Sequence, residues 1–192
     1  IFSTMKGQLT TITGIPSSGK SNMTEWYLLN IAKDYNSKLS FFTPEHTPYT
    51  LFHSKMSEKV IGKPFFTRKH YDNGVTRMSK DELNEYIEWS KERIYITSPT
   101  KGEVADWDWL LNTFEGQMLR YGVDIFVIDA WNKVIMKNGG GLNEIAQILT
   151  KLTQFCAKYN VEIYLIAHTT KMKKLDNGQY DVPNLYDVSG SA

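Results

Sequence analysis

Apolar residues along the chain form short runs, and between these runs lie longer stretches in which apolar positions recur every three or four residues. Short apolar runs are typical of buried strands, and the longer period is typical of helices that bury one face. Strands are predicted over residues 8–13, 38–43, 93–97, 123–129 and 161–168. Helices are predicted over residues 22–35, 46–61 and 142–159, with two more beginning at Ser79 and Asp106. This alternation predicts an α/β fold in which a mostly parallel sheet carries helices on both faces and binds ligands at the carboxyl ends of its strands.

Local signals mark several of these boundaries. Ser79 and Glu82 stand three residues apart, as in a capping box that starts a helix. Gly122 ends the helix that begins at Asp106, and the run Asn-Gly-Gly-Gly at residues 138–141 predicts a flexible loop. No repeat or low-complexity tract interrupts the pattern, so a single domain is expected.

The strongest chemical signal is the segment GIPSSGKS at residues 14–21, which matches the phosphate-binding pattern G-x-x-x-x-G-K-[ST] at every fixed position. It lies between a predicted strand and a predicted helix, as a P-loop requires, and this context argues against a chance glycine-serine turn. In a P-loop, backbone N–H groups and the helix N-terminus bind phosphate oxygens. Lys20 then reaches the β- and γ-phosphates, and Ser21 binds Mg²⁺ through its hydroxyl. The predicted nucleotide contacts are Gly14, Pro16, Ser17, Ser18, Gly19, Lys20, Ser21 and Asn22.

Two carboxylates follow predicted strands at the same edge of the sheet. Asp129 ends an apolar strand, where it can hold a Mg²⁺-bound water beside Ser21. Glu45 ends another strand, where it can polarise the water that attacks the γ-phosphate. Each has an alternative role, Asp129 as a cap after its strand and Glu45 as a cap partner for the helix near His46. The metal and catalytic roles are favoured because the P-loop lies at the same edge.

His168 ends the last predicted strand, and its role is open from the residues alone. An imidazole there can hydrogen-bond the γ-phosphate and transmit its loss to the loop that follows. A histidine at a strand end is equally well explained as a packing residue or a satisfied polar residue. Both alternatives stand at this level of analysis.

Lysines cluster in the two segments that leave this edge of the sheet. They are Lys133 and Lys137 after Asp129, and Lys171, Lys173 and Lys174 after His168. Such lysines can bind the phosphates of a nucleic-acid strand with salt-sensitive affinity, or they can belong to solvated loops. The tryptophans are expected to be core or packing residues, and these are Trp26, Trp89, Trp107, Trp109 and Trp131. Trp131, two positions after Asp129, is the one placed for a functional role, although the core is favoured for it too.

Composition limits the remaining possibilities. The chain has 192 residues, 41% of them hydrophobic, which is enough for one domain with a sizeable core. Its 22 basic and 21 acidic residues give a net charge of +1, so any nucleic acid must be bound by local clusters. Cys156 is the only cysteine, which excludes an internal disulfide and indicates a reducing compartment. No apolar run reaches the roughly 18 residues of a membrane span, so we expect a soluble protein that does not bind membranes.

Several segments together resemble a known family. They are the strand, GIPSSGKS and helix unit, then FFTPE, DIFVIDAWNKV, VEIYLIAHTTKMKK and VPNLYDVSGSA. In this order they resemble the RecA-like ATPase domain of DnaB-type replicative helicases, closest to the Twinkle-like primase-helicases, over nearly the whole chain. The resemblance implies a RecA-like P-loop NTPase fold that binds ATP or another NTP with Mg²⁺. It also implies that Glu45 is the catalytic glutamate, Asp129 the Walker B aspartate and His168 the polar sensor of the γ-phosphate.

The resemblance further implies a homo-hexameric ring with single-stranded DNA in its channel and the two lysine-bearing loops lining it. The family supplies an arginine finger from a neighbouring subunit, and no residue here matches it. We therefore expect a fragment of a longer chain. The fragment is expected to bind nucleotide, to hydrolyse it poorly and to stay monomeric. A fused or associated primase is expected as a partner of the full-length protein. A bacterial or phage-encoded cytoplasmic protein is expected.

The predicted function is that of a replicative DNA helicase motor that hydrolyses NTP to translocate on single-stranded DNA and unwind duplex. Two alternatives remain. One is a RecA-type recombination or repair ATPase that forms nucleoprotein filaments. The other is a DNA-independent module in which nucleotide binding controls assembly.

Overall fold

The structure is a computed structural model that describes residues 4–44, 48–66, 76–137 and 139–169. Its strands are β1 (Leu9–Gly14), β2 (Leu39–Phe42), β3 (Ile94–Thr97), β4 (Ile125–Asp129) and β5 (Glu162–His168). Its helices are α1 (Lys20–Tyr35), α2 (Tyr49–Ile61), α3 (Lys80–Lys91), α4 (Trp107–Tyr121) and α5 (Leu142–Tyr159). A short 3₁₀ turn at Trp131–Lys133 follows β4. Strands and helices alternate much as the apolar pattern predicts.

The five strands form one sheet in the order β1-β5-β4-β2-β3, and every neighbouring pair is parallel. The predicted α/β fold, consistent with a RecA-like P-loop domain, is confirmed. Because all the strands run in one direction, their last residues meet at one edge, here called the carboxyl edge. The order places β5 between β1, which leads into the P-loop, and β4, which ends at Asp129.

Helices cover both faces of the sheet, and each covered face has its own apolar core. The α1 face carries α1, α2 and α3, and its core joins Leu28, Phe52 and Tyr86 to strand residues such as Val127 and Ile166. The α4 face carries α4 and α5, and its core joins Leu110, Phe114 and Leu152 to strand residues such as Ile128 and Leu165. Successive strand residues therefore alternate between the two faces, as the pleat requires.

Most predicted boundaries differ from the structure by one or two residues. The capping box at the start of α3 is confirmed, since Ser79 Oγ accepts from the Glu82 N–H at 3.2 Å and Glu82 accepts from the Ser79 N–H at 2.9 Å. The α1 helix begins at Lys20, two residues earlier than predicted, because Gly19 turns the chain with a φ of +85°. This left-handed conformation is one that glycine adopts without strain. Lys20 and Ser21 therefore belong to the first helical turn.

The tryptophans only partly follow the expectation. Trp107 and Trp131 are buried in the core of the α4 face, with ring centroids 4.7 Å apart. Trp26 is 56% exposed, so its assignment to the core is wrong. The buried stripe of α1 runs through Leu28 and Ala32, and Trp26 lies outside it. Propensity alone does not tell which side of a helix faces the sheet.

Cys156 is buried on α5, and burial raises the pKa of its thiol to about 12. The thiol is therefore protonated and unreactive at neutral pH. Among the described residues, no helix combines the length and the apolar character that a membrane crossing would demand.

The packing of α4 predicts a large stability difference between two leucines of this helix. Leu110 is fully buried and Leu119 is 71% exposed. Leu110→Ala leaves a cavity, so we expect the free energy of unfolding to fall by about 3 kcal/mol. Leu119→Ala is the same chemical change at the surface and should alter it by less than about 0.5 kcal/mol. Urea denaturation followed by circular dichroism measures both, and equal losses would contradict the placement of α4.

Candidate nucleotide-binding site

The P-loop folds around the side chain of its own lysine. Lys20 Nζ donates to the carbonyl oxygens of Gly14 at 2.8 Å and Ile15 at 2.9 Å. An ammonium group has three donors, so one remains for a phosphate oxygen. Ser17, with a φ of +60°, and Gly19 turn the backbone tightly between β1 and α1. The loop therefore holds the Lys20 ammonium group at the entrance of the site.

The N-terminus of α1 has the features of an anion-binding site. The first N–H groups of a helix have no partner inside the helix, and side chains usually cap them. Ser79 and Asp106 provide such caps for α3 and α4, whereas α1, α2 and α5 have no side-chain cap. Of these three uncapped helices, α1 is the one that directly follows the P-loop glycine Gly19. The N–H groups at the start of α1 thus fit phosphate oxygens, which is the role that the sequence predicts for residues 19–22.

Strand alternation places Asp129 and His168 on the same face of the sheet as α1. Asp129 lies two residues beyond Val127, and His168 lies two residues beyond Ile166, and both of these apolar residues belong to the core of the α1 face. The β1–β5 register pairs His168 with Gly14, and the β4–β5 register pairs Ile166 with Asp129. The structure thus brings the P-loop, the predicted sensor and the predicted Walker B carboxylate together at the carboxyl edge.

The electrostatics of Lys20 agree with this proximity. Burial lowers the pKa of the Lys20 ammonium, and the nearby Asp129 carboxylate acts in the opposite direction. Asp129 is itself only 8% exposed. Within the described residues there is no cluster of three or more histidine, cysteine or acidic side chains that could hold a metal by itself. The donor chemistry of the buried Asp129 carboxylate and the Ser21 hydroxyl fits Mg²⁺, which is commonly bound by one or two carboxylates together with phosphate oxygens and water.

A cleft of about 630 Å³ opens beside the P-loop, and α2 contributes one of its walls. Its lining includes Ser17 to Asn22 and His168, together with Glu25, Lys55, Glu58 and Lys59. Lys59 Nζ lies 2.9 Å from Glu25 Oε2, and both side chains are largely buried. Sequence reasoning missed this pair, although Glu25 stands four residues after Ser21 and so shares its helix face.

Three threonine hydroxyls near the carboxyl edge were also missed. They belong to Thr13 in β1, Thr43 directly after β2 and Thr169 directly after β5. Each hydroxyl is buried and has no hydrogen-bond partner in the part of the chain that the structure describes. Buried polar groups are normally paired, so these hydroxyls require an explanation. The signal in the sequence is their position at the carboxyl end of a strand.

The predicted DNA-binding lysines are only partly within the described residues. Lys133 is exposed on the 3₁₀ turn that follows β4. Lys137 is exposed but bound by two carboxylates, Asp108 at 2.7 Å and Asp106 at 3.2 Å, and these carboxylates raise its pKa. Contact with DNA would thus require Lys137 to exchange carboxylates for phosphates. Glu45, Lys171, Lys173 and Lys174 lie outside the described residues, and their predicted roles stay predictions.

Comparison with known proteins gives one informative similarity. No protein-family model matches the chain. A Twinkle homolog protein of chloroplasts and mitochondria from Arabidopsis thaliana is 33% identical over the whole chain. The chain is related to the Twinkle-like primase-helicases. The predicted relationship is confirmed, and the chain spans 27% of the length of that Twinkle homolog.

The same comparison overturns the predicted bacterial or phage-encoded cytoplasmic origin. The matching Twinkle homolog is a plant protein of organelles. The bacterial or phage origin was expected with the family resemblance, and the cytoplasmic location was expected from a lone cysteine and the lack of a long apolar run. Bacterial and organellar proteins can share all of these features, so they do not distinguish the two origins.

The ion pair between α1 and α2 predicts an asymmetric response to substitution. Glu25→Gln leaves the Lys59 charge buried without its partner, so we expect the free energy of unfolding to fall by about 3 kcal/mol. The double variant Glu25→Gln with Lys59→Met removes both charges and should recover part of that loss. Urea denaturation provides the measurement.

The matched control is Lys91→Ala, which removes the exposed pair of Lys91 with Glu88 and should change stability little. A Glu25→Gln variant as stable as this control would show that the Glu25–Lys59 pair does not hold α2 against α1.

Proposed function

We propose that the chain is the nucleotide-hydrolysing motor of a replicative DNA helicase, which uses ATP or another NTP with Mg²⁺ to translocate on single-stranded DNA and unwind duplex. The observation that carries the proposal is the meeting of the P-loop, Asp129 and His168 at one edge of a parallel sheet. The similarity to a Twinkle homolog over the whole chain supports it.

Each residue has a role in phosphoryl transfer. The P-loop N–H groups and Lys20 bind the phosphates and stabilise the charge that develops on the transferring group. Ser21 and Asp129 would hold Mg²⁺, and the metal would supply positive charge that neutralises the phosphate oxygens. Glu45 orients and deprotonates the attacking water in this proposal. His168 hydrogen-bonds the γ-phosphate from the end of β5.

The proposal also couples hydrolysis to DNA through chain connectivity. His168 precedes Lys171, Lys173 and Lys174 in the sequence, and Asp129 precedes Lys133 and Lys137. Binding or loss of the nucleotide γ-phosphate therefore acts at the start of both lysine-bearing segments. These segments are where the phosphates of DNA are expected to bind. A homo-hexameric ring and a fused or associated primase belong to the same proposal.

Hydrolysis of ATP by the full-length protein, with and without single-stranded DNA, tests the proposed motor. We expect strong stimulation by DNA, and we expect Lys20→Ala to lower turnover at least about 100-fold because the transferring phosphoryl group loses its cation. The exposed Lys80 provides a matched control, and Lys80→Ala should leave turnover unchanged.

The possible outcomes separate the alternative functions. Near-normal turnover in the Lys20→Ala variant would contradict the P-loop assignment. Hydrolysis that needs Lys20 but is indifferent to DNA would favour the nucleotide-gated assembly module. With DNA-stimulated hydrolysis established, rings in electron micrographs support the helicase, whereas filaments along DNA favour a recombination ATPase.

A second experiment tests the lysines after β5. Lys171→Ala with Lys174→Ala should weaken single-stranded DNA binding and lower the slope of log affinity against log salt by about two, because two phosphate contacts are lost. Fluorescence anisotropy at several salt concentrations measures both quantities. Nucleotide affinity should not change.

The control for that experiment is Lys80→Ala with Lys91→Ala on α3, which removes two exposed lysines outside both segments. If both double variants bind DNA as the wild-type protein does, the lysines after β5 belong to a solvated loop.

A further inference from the structure

Thr43 stands beside the predicted magnesium carboxylate. The β2–β4 register ends with the pair of Phe42 and Ile128. Thr43 directly follows β2 and Asp129 is the last residue of β4, so the two are neighbours at the carboxyl edge. Adjacent strands lie about 4.8 Å apart. Phe41 belongs to the core of the α1 face, and the alternation carried on to Thr43 puts its side chain on that face. Thr43 and Asp129 therefore share both the edge and the face where the P-loop lies.

The hydroxyl of Thr43 makes no hydrogen bond that stabilises the described part of the chain. Thr43 is only 3% exposed, and its Oγ1 has no hydrogen-bond partner among the described residues. A buried hydroxyl without a partner destabilises the fold, whereas valine would fill the same space without this cost. A ligand that supplies the missing hydrogen bond would explain why a threonine occupies this position.

The other two unpartnered threonines differ from Thr43 in position. Thr13 pairs with Ala167, and Ala167 belongs to the core of the α4 face. Thr169 follows Ala167 by two residues and so continues on the α4 face. Of these three hydroxyls, that of Thr43 is the one on the side of Asp129 and α1.

We propose that Thr43 is a positioning residue whose hydroxyl hydrogen-bonds a water molecule in the coordination shell of the Mg²⁺ held by Asp129. The inference rests on the proposed nucleotide-hydrolysing function. Mg²⁺ at phosphate sites keeps several of its waters, and these waters need acceptors in the protein. A threonine hydroxyl is both an acceptor and a donor, so it can bind such a water and orient it relative to the carboxylate.

The test uses Thr43→Val in the full-length protein, because valine has the shape of threonine without the hydroxyl. The Mg²⁺ concentration that gives half-maximal binding of a fluorescent ATP analogue should rise about tenfold, the effect of losing one hydrogen bond to a charged centre. Thr43→Ser keeps the hydroxyl and should stay within about threefold of the wild type. The melting temperature of the metal-free and nucleotide-free variant should equal or exceed that of the wild type, because an unpartnered buried group has been removed.

Thr13→Val is the matched control, since it removes an unpartnered hydroxyl from the other face and should leave the Mg²⁺ requirement unchanged. An unchanged Mg²⁺ requirement in Thr43→Val would overturn the proposed role, and so would a lower melting temperature of the ligand-free variant, which would reveal a structural partner. A wild-type protein that binds no nucleotide with Mg²⁺ would instead overturn the proposed function, and this inference with it.

Discussion

The position of β5 in the parallel sheet is the constraint on which the candidate site depends. It pairs Gly14 with His168 and Asp129 with Ile166, although these residues are far apart in the sequence. Long crossover connections allow all five strands to run in the same direction. The last residues of the strands therefore lie at the same edge of the sheet. If β1 were paired directly with β4, His168 would not lie between the P-loop and Asp129. The geometry of the site is a consequence of strand order.

The two faces of the sheet differ in what they bury near that edge. The α4 face buries aromatic and aliphatic side chains such as Phe114 and Leu152, together with the hydroxyls of Thr13 and Thr169. The α1 face buries Glu25, Thr43 and Asp129 close to the P-loop. Buried polar groups destabilise a fold unless they are paired. Lys59 pairs with Glu25. The apolar cores must offset the free-energy cost of burying Thr43 and Asp129.

Local signals allowed much of this to be predicted from the sequence. The P-loop, the capping box at Ser79 and the strands ending at Asp129 and His168 each depend on residues close together in the chain. What the sequence did not reveal depends on residues that are distant in the chain. The sequence does not show that Asp106 and Asp108 bind Lys137, because only the fold brings them together. Trp26 was expected to be a core or packing residue because it is a large aromatic side chain, but the orientation of its helix leaves it exposed.

The sequence by itself therefore determined the types of the elements, the phosphate-binding loop and the last residues of β3, β4 and β5, because these follow from local periodicity and from a contiguous motif. Only the tertiary structure decided that β5 lies between β1 and β4 and that Lys59 of α2 pairs with Glu25 of α1 at the cleft. It also decided that Thr43 is buried next to Asp129, with no hydrogen-bond partner for its hydroxyl among the described residues. The physical reason is that strand order and helix packing arise from contacts between distant segments. The chemistry of one residue does not reveal which distant residue will pair with it.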